Sequence, residues 1–304
     1  MTQWTTSDMP SQKGRSAVIT GTGGLGLEDA LELARTGGEV ILAGRNPQKG
    51  AEAVARIQSE VPSAKVRFEQ VDLASLKSIA DFAARLKGQR ESLDLLINNA
   101  AVMTPPKREA TSDGFELQLG TNYLGHFALS AHLMPLLRKG TNARVVTLSS
   151  VAARAGVIDF DDLHATRSYQ PMRAYGQSKL ACLLFAFELQ RRSEANRWGV
   201  ASIAAHPGIS RTDLLHNAPG RWSASGMMRT FLWFLFQPAS QGALPTLFAA
   251  TSPEAKAGAY YGPDKLSEMR GHPTLAKVPQ RAEDRTAANR LWRVSEELTQ
   301  VAFQ

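Results

Sequence analysis

The chain has 304 residues, of which 43 % are apolar and 21 % charged, enough apolar sequence for a large core and too little charge for a disordered protein. The net charge of +7 comes from scattered Lys and Arg, without a run of like charges, which argues against a nucleic-acid partner. The single cysteine, Cys182, excludes an internal disulfide and a cysteine-based metal site. We expect one domain over 1–304 and no bound metal.

The apolar segments are too short for secretion or for membrane insertion. Residues 1–13 form a polar extension without the apolar run of a secretory signal. No stretch reaches the roughly 18 apolar residues that a membrane-spanning helix needs. We therefore expect a cytoplasmic protein.

Short apolar, β-branched runs alternate with helical segments through the first two thirds of the chain. Because each crossover helix must return over a face of the sheet, this alternation predicts a parallel sheet covered on both sides. The fold class is therefore doubly wound α/β, of the Rossmann type. The predicted strands are 17–19, 40–42, 66–71, 93–97, 145–148 and 200–204, and the predicted helices include 27–35, 48–58 and 76–86.

The last third is less regular. Residues 209–240 mix Pro, Gly, Ser and Arg with an apolar cluster, and we interpret them as a substrate lid, since long irregular segments in compact domains tend to be functional. Residues 260–263 are predicted to be the last strand and its turn. Residues 282–304 predict an amphipathic helix that docks on the domain or on an oligomer partner. Its apolar positions are Leu291, Trp292, Val294 and Leu298.

A glycine-rich turn, 20–26, connects the first predicted strand to the first predicted helix. Gly21, Gly24 and Gly26 allow the backbone to turn sharply and to approach a pyrophosphate, whose charge is met by backbone N–H groups and the helix dipole. In this position the motif predicts a dinucleotide site. A turn with a purely structural role is the alternative.

The end of the second predicted strand carries Arg45 and no carboxylate. At this point an acidic residue binds the ribose 2′-OH of NAD, whereas a basic residue accommodates the 2′-phosphate of NADP. Arg45 therefore favours NADP(H) over NAD(H). A merely solvated arginine would leave the choice open.

Tyr175 and Lys179 are four residues apart at the start of an apolar helical segment. Residues at this spacing share one helix face, so the hydroxyl and the ammonium can address the same small volume. A free tyrosine titrates at about pH 10, and acid/base work near neutrality needs a cation that stabilises the phenolate. The pair therefore predicts proton transfer by Tyr175 with the assistance of Lys179.

Further motifs accompany the glycine turn and the tyrosine–lysine pair, and in chain order the set is 20–26, Asp72-Leu73, 98–101, Asn122, Ser149-Ser150, Tyr175, Lys179 and 206–208. These motifs occur in the order found in the short-chain dehydrogenases/reductases, which the chain resembles over nearly its whole length. Segments 113–116 and 120–127 and the extended segment 155–173 make it most similar to the retinol-dehydrogenase-like branch.

The resemblance implies an active-site tetrad. Tyr175 would be the acid/base, and Ser150, rather than Ser149, would hydrogen-bond the substrate oxygen. Lys179 would stabilise the tyrosine phenolate and hold the nicotinamide ribose. Asn122 would support a water that links Lys179 to solvent.

The same resemblance implies the cofactor contacts. Asp72 would meet the adenine, Asn99 and Ala100 would line the floor of the site, and Thr212 would bond the carboxamide. Further implied contacts are Gly21, Gly24, Leu25, Gly26, Arg45, Leu73, Tyr175, Lys179, Pro207 and Gly208.

Two positions depart from the family pattern. Only Thr22 and Gly23 separate Gly21 from Gly24, so the loop is one residue short; this would either pull the backbone closer to the pyrophosphate or weaken cofactor binding. Ala101 stands where the family usually has glycine, a change that is tolerated at negative φ.

The apolar cluster 227–236 lies where the family carries its substrate lid, and Trp222 and His216 are further pocket candidates. The cluster favours a bulky lipophilic carbonyl or alcohol, such as a retinoid, steroid or aryl ketone. Contact with a membrane surface, or a helix packed on the core, are the alternatives. The family is commonly oligomeric, so a homo-oligomer is possible.

Two other functions remain open. The chain resembles protochlorophyllide reductases, which reduce a C=C bond, in 98–102. Those enzymes have a cysteine two residues after the lysine, where this chain has Ala181, with Cys182 one position further on. A dinucleotide-binding sensor or scaffold without turnover is the third hypothesis, against which the set Ser150, Tyr175 and Lys179 argues.

Overall fold

The computed structural model describes residues 3–210 and 237–303. The strands are β1 Ser16–Thr20, β2 Glu39–Gly44, β3 Lys65–Gln70, β4 Leu95–Asn98, β5 Arg144–Leu148, β6 Ala201–Ala205, β7 Tyr260–Lys265 and β8 Arg270–Leu275. They form one eight-stranded sheet in the order β3-β2-β1-β4-β5-β6-β7-β8. Neighbouring strands from β3 to β7 are parallel, and β8 alone runs antiparallel to its neighbour β7. The predicted doubly wound α/β class is therefore confirmed.

Helices cover both faces of this sheet, which separates two apolar cores. The helices are α1 Gly24–Arg35, α2 Pro47–Glu60, α3 Leu76–Gln89, α4 Gly125–Leu137, α5 Pro171–Asn196, α6 Ala239–Thr251 and α7 Arg285–Thr299. One core joins α1, α2 and α6 to Ile19 and Leu42, and the other joins α3, α4, α5 and α7 to Val18 and Ile41. Successive strand residues thus enter opposite cores, which is why stretches such as 17–19 and 40–42 are continuously apolar.

A π-helical turn precedes α4. The short helix Leu117–Leu119 continues through the wider turn Gly120–Leu124 into α4 without leaving helical backbone angles. Single wide turns of this kind are frequent at functional sites. Here the turn contains Asn122.

The strand prediction for residues 260–263 was wrong in one respect, because β7 is not the last strand. A hairpin turn leads from β7 into β8, which carries Gly271 and Pro273. These residues weaken a strand signal, and proline is tolerated because β8 is an edge strand. The sequence pattern therefore did not reveal it.

The C-terminal helix docks on its own chain. In α7, Leu291 and Trp292 are 2 % and 1 % exposed, and the Trp292 ring lies 5.0 Å from that of Phe127 in α4 and 5.8 Å from that of Phe185 in α5. Of the two partners predicted for this helix, the structure thus shows the domain itself. No helix in the described ranges is long and apolar enough to cross a membrane.

The predicted lid, 209–240, falls largely outside the described residues. Its described ends lie together, because Ser210 and Gln237 form a parallel bridge, and α6 already begins at Ala239. Thr212, His216, Trp222 and 227–236 lie outside the described residues.

Candidate active site

The carboxyl ends of the central strands open into a cleft, as expected for ligand binding in a doubly wound sheet. One cavity of 660 Å³ is lined by Gly21, Arg45, Asp72, Leu73 and Ala100, among others. A second cavity of 610 Å³ continues past the glycine turn and is lined by residues that include Gly24, Leu25, Asn99 and Ala100. The structure thus gathers these predicted cofactor residues from four strand ends along one groove.

The glycine turn is tightly packed despite its short length. Gly21 has φ +96° and donates its N–H to the carbonyl of Ala43 at 2.7 Å. A Cβ on Gly26 would lie 2.5 Å from the side-chain nitrogen of Asn99 and 2.8 Å from the carbonyl oxygen of Gly21. Glycine is therefore required at both positions, and α1 begins directly at Gly24, which lines the second cavity.

Arg45 is exposed at the rim of the larger cavity, and a second cation, Lys49, lines both cavities. The loop ends in the N-cap of α2, where the side chain of Asn46 accepts hydrogen bonds from the backbone N–H groups of Gln48 and Lys49. This cap sets the first turn of α2, and with it Lys49, beside Arg45. Sequence reasoning missed Lys49. Its position in the first turn of the second helix, close after Arg45, could have indicated a role in the same site.

Asp72 and Asn99 have structural partners. Oδ1 of Asp72 accepts the N–H of Ala74 at 2.9 Å, which shapes the loop after β3. The amide nitrogen of Asn99 donates to the carbonyl of Thr20 at 2.7 Å, so it joins β4 to the start of the glycine turn. Both residues still border the groove, where the resemblance places the adenine and the cofactor floor.

Tyr175 and Lys179 lie in the early turns of α5 and are 5 % and 4 % exposed. Nζ of Lys179 lies 5.9 Å from the centre of the Tyr175 ring and donates to the carbonyl of Leu148, at the end of β5, at 3.1 Å. The shared helix face predicted from the spacing is thus present. The bond to Leu148 directs the ammonium toward the end of β5, beside the two serines.

The two serines that follow β5 have different surroundings. Ser149 is 3 % exposed and donates its hydroxyl to the carbonyl of Lys179 at 2.8 Å. Ser150 is half-buried and accepts the N–H of Ala152 at 3.2 Å, as the N-cap of the 3-10 helix Val151–Ala155. Because the Ser150 oxygen acts as an acceptor in this bond, its O–H remains able to donate to a substrate. This geometry favours Ser150, as the resemblance implied.

Asn122 is fully buried and holds several segments together. Its side-chain amide pairs with both the N–H and the carbonyl of Val102, at 2.7 and 2.9 Å, and donates to Ser178 Oγ in α5 at 2.9 Å. The backbone carbonyl oxygen of Asn122 accepts hydrogen bonds from Nδ1 of His126 at 2.9 Å and from Sγ of Cys182 at 3.2 Å. The water-supporting role of Asn122 stays a prediction.

His126 was not identified by sequence reasoning as a site residue. The carbonyl of Asn122 can only accept, so Nδ1 of His126 carries the proton and Nε2 accepts from the hydroxyl of Thr20 at 2.9 Å. Burial lowers the pKa of His126 to about 4, so the ring is neutral. Thr20 in turn accepts the N–H groups of Asn99 and Ala100. This series of hydrogen bonds links the glycine turn to Asn122. The feature of the sequence that could have revealed it is a histidine within an otherwise apolar helix.

Pro207 and Gly208 follow β6 at the same end of the sheet. Gly208 has φ +64°, and a Cβ there would lie 2.3 Å from the carbonyl oxygen of Met269. The predicted contact residue Thr212 lies outside the described residues. Within the described ranges, no group of three His, Cys, Asp or Glu side chains could hold a metal ion.

Comparison with known proteins agrees with this geometry. The family model for short chain dehydrogenases matches residues 15–221. Retinol dehydrogenase 13 of Mus musculus is 42 % identical over 296 residues, covering 95 % of this chain and 85 % of that protein. Polyprenol dehydrogenase of Mus musculus is 39 % identical over 291 residues, covering 93 % and 83 %.

A crystal structure of a putative uncharacterized protein from Mycobacterium paratuberculosis superimposes with a TM-score of 0.82, at 38 % identity and 100 % coverage of both chains. The chain belongs to the short-chain dehydrogenase/reductase family, in its retinol-dehydrogenase-like branch. It is therefore an oxidoreductase of this type, with a fold that binds a nicotinamide dinucleotide.

Proposed function

We propose that this protein interconverts a carbonyl and an alcohol on a bulky lipophilic substrate, with NADP(H) as the hydride carrier and Tyr175 as the acid/base. The observation that carries the proposal is the convergence of Tyr175, Lys179 and Ser150 at the end of β5, on the same edge of the sheet as the glycine turn.

The groove fits a dinucleotide. Asn99 occupies the space that a Cβ on Gly21 or Gly26 would need, so the turn accepts only glycine at these positions, and the groove is lined there by Gly21, Gly23 and Gly24, which have no side chains. The N–H groups at the start of α1 would meet a pyrophosphate, and Asp72 with Leu73 would border the adenosine half. The cofactor, when bound, supplies or accepts the hydride.

The side chains of this chain would manage the proton. In the direction of reduction, the hydroxyl of Tyr175 donates its proton to the carbonyl oxygen of the substrate, and Ser150 hydrogen-bonds the same oxygen. The Lys179 ammonium stabilises the phenolate that remains, because an opposite charge in a largely buried site is weakly screened by water. In oxidation the proton moves the other way.

Preference for NADP(H) is supported by Arg45 and Lys49, two exposed cations at the rim where the second ribose would lie. No carboxylate follows β2, which is where NAD-binding folds place one. Two cations can meet the 2′-phosphate, whose charge NAD lacks.

A lipophilic substrate is supported by the names of two relatives. Retinol dehydrogenase 13 and polyprenol dehydrogenase are 42 % and 39 % identical to this chain. Retinol and polyprenols are long apolar alcohols, and their reactive groups match the proposed chemistry. Peripheral membrane contact, a homo-oligomer and a cytoplasmic location stay predictions.

Reduction of a C=C bond gains no support from Cys182. Its thiol is 1 % exposed and donates to the carbonyl of Asn122 at 3.2 Å, and burial raises its pKa. A thiol in this position packs between α5 and the turn before α4 instead of facing the groove.

The test is a panel of substrates assayed with NADPH oxidation and NADP⁺ reduction as readouts. The panel should contain retinal, a long prenyl aldehyde, an aryl ketone, a small polar ketone and an activated alkene. We expect turnover of the apolar carbonyls. Preference for the small polar ketone would refute the substrate class, turnover of the alkene alone would favour C=C reduction, and cofactor binding without any turnover would favour a sensor.

A further inference from the structure

The turn between β7 and β8 has unusual backbone geometry. Leu266, Ser267 and Glu268 have φ values of +50°, +55° and +68°. This left-handed region is disfavoured for residues that carry a Cβ. Such a run persists where surrounding contacts hold it, and backbone strain of this kind concentrates at functional sites. The hydrogen bonds of Glu268 show which segments of the protein this turn contacts.

Glu268 binds two segments that border the candidate active site. Its Oε2 accepts from Nη2 of Arg154 at 2.6 Å and from Nε2 of His206 at 3.0 Å. Arg154 belongs to the 3-10 helix that Ser150 caps, and His206 directly precedes Pro207 and Gly208. The other carboxylate oxygen accepts the N–H of Lys277 at 2.9 Å, so all the groups bound to Glu268 donate to it.

The hydrogen bonds of His206 define its protonation. The N–H of Gly208 donates to Nδ1 at 3.2 Å, so Nδ1 is unprotonated and Nε2 carries the proton that bonds Glu268. The ring is 1 % exposed, and a Cβ on Gly262 would lie 2.0 Å from its Nε2. Gly262 in β7 therefore leaves the space that this ring occupies.

The hairpin holds the Pro207–Gly208 segment at further points. The carbonyl of Met269 accepts the N–H of Ile209 at 2.8 Å. The buried Gln237 donates its amide to the carbonyl of Pro207 at 2.6 Å and accepts the N–H of Gly271 at 3.1 Å. Glu268 differs from Met269 and Gln237, because its side chain also binds Arg154 in the segment that follows Ser150.

We propose that Glu268 is a positioning residue, which holds the Pro207–Gly208 segment at a fixed distance from the Ser150 segment and thereby sets the nicotinamide against the substrate carbonyl. The inference rests on the proposed function, in which Ser150 binds the substrate oxygen, and on the family resemblance, which makes Pro207 and Gly208 cofactor contacts. Hydride transfer depends steeply on such geometry, since a displacement of about 1 Å can cost about a hundredfold in rate. The adenosine half of the groove lies at β2 and β3, away from Glu268.

The test compares Glu268→Ala with Asp264→Asn. Asp264 is a matched control on the same hairpin, because its carboxylate accepts the N–H of His272 within the hairpin. For each protein we would measure kcat, the affinity for NADPH, the affinity for 2′,5′-ADP, and the primary isotope effect with NADPH deuterated at the transferred position. Urea unfolding reports the folded fraction.

For Glu268→Ala we expect kcat to fall about tenfold or more, with weaker NADPH binding, unchanged 2′,5′-ADP binding and a larger isotope effect. Asp264→Asn should match the wild type in all four. Partial unfolding alone would lower kcat in proportion to the folded fraction and leave the isotope effect unchanged, and that result would overturn the inference.

Arg154→Met keeps the proposal testable if Glu268→Ala does not fold. Its exposed side chain joins only the Ser150 segment to the turn, and we expect lower kcat with unchanged NADPH affinity. Wild-type kinetics in this variant would overturn the link to Ser150. A wild-type protein that neither binds nor oxidises NADPH or NADH would overturn the proposed function as well, whereas an active wild type with an equally active Glu268→Ala would overturn this inference alone.

Discussion

Asp29 provides a test of the fold that does not depend on the proposed function. This residue of α1 is 0 % exposed, and within the described ranges neither carboxylate oxygen has a hydrogen-bond partner. Burial raises its pKa well above the ordinary value, and the charge of Glu28 acts in the same direction. The folded protein therefore keeps a proton on Asp29 at pH values where the unfolded chain has released it.

The magnitude for Asp29→Asn follows from proton linkage. The folded-state pKa lies above the unfolded value of about 3.9. Stability is consequently lost as the pH rises from the unfolded pKa to the folded pKa, by about 1.4 kcal/mol per pH unit for one proton. Asparagine has nearly the same size and does not ionise, so the variant should become more stable relative to the wild type as the pH rises above about 4.

The measurement is the free energy of unfolding in urea at several pH values from about 4 upward. Asp81→Asn is the control, since Asp81 has a 53 % exposed side chain on α3 and pairs at the surface with Lys77. The difference in the free energy of unfolding between Asp81→Asn and the wild type should change far less with pH. If the difference in the free energy of unfolding between Asp29→Asn and the wild type stays constant over this pH range, Asp29 is not a buried neutral acid.

Three further predictions concern the site and the C-terminal helix. Arg45→Ala and Lys49→Ala should each reduce the ratio of NADPH to NADH affinity, measured by titration; an unchanged ratio in both would exclude the phosphate role. Tyr175→Phe should keep NADPH binding and lose turnover, and retained activity would remove Tyr175 from proton transfer. Trp292→Ala should lower the free energy of unfolding by about 3–5 kcal/mol, because its ring is buried against α4 and α5, whereas Trp292→Phe should cost less; an equally stable Ala variant would contradict the docking.

The strands and helices of the first two thirds could be predicted because their patterns are local. Residues 40–42 are continuously apolar since they enter both cores, and β2 extends over Glu39–Gly44. The strand β8 could not be predicted, because Gly271 and Pro273 give no strand pattern and its pairing with β7 depends on the left-handed turn between them.

The arrangement of Tyr175 and Lys179 in the candidate site could be predicted, because the spacing along one helix carries that information. The four-residue spacing of Tyr175 and Lys179 places both on one face of α5. The roles of Thr20, His126 and Glu268 depend on hydrogen bonds between distant segments, such as the bond from Thr20 to His126 at 2.9 Å. No periodicity within one segment reports such contacts.

The sequence by itself determined the alternation of strands and helices, the glycine turn and the Tyr175–Lys179 pair, because backbone conformation and helix periodicity are local properties. Only the tertiary structure showed why the hydroxyl of Ser150 stays available while that of Ser149 is bonded to Lys179, and which segments Asn122 and Glu268 join. Those outcomes depend on the desolvation of polar groups, which must find partners wherever the folded chain brings donors and acceptors together.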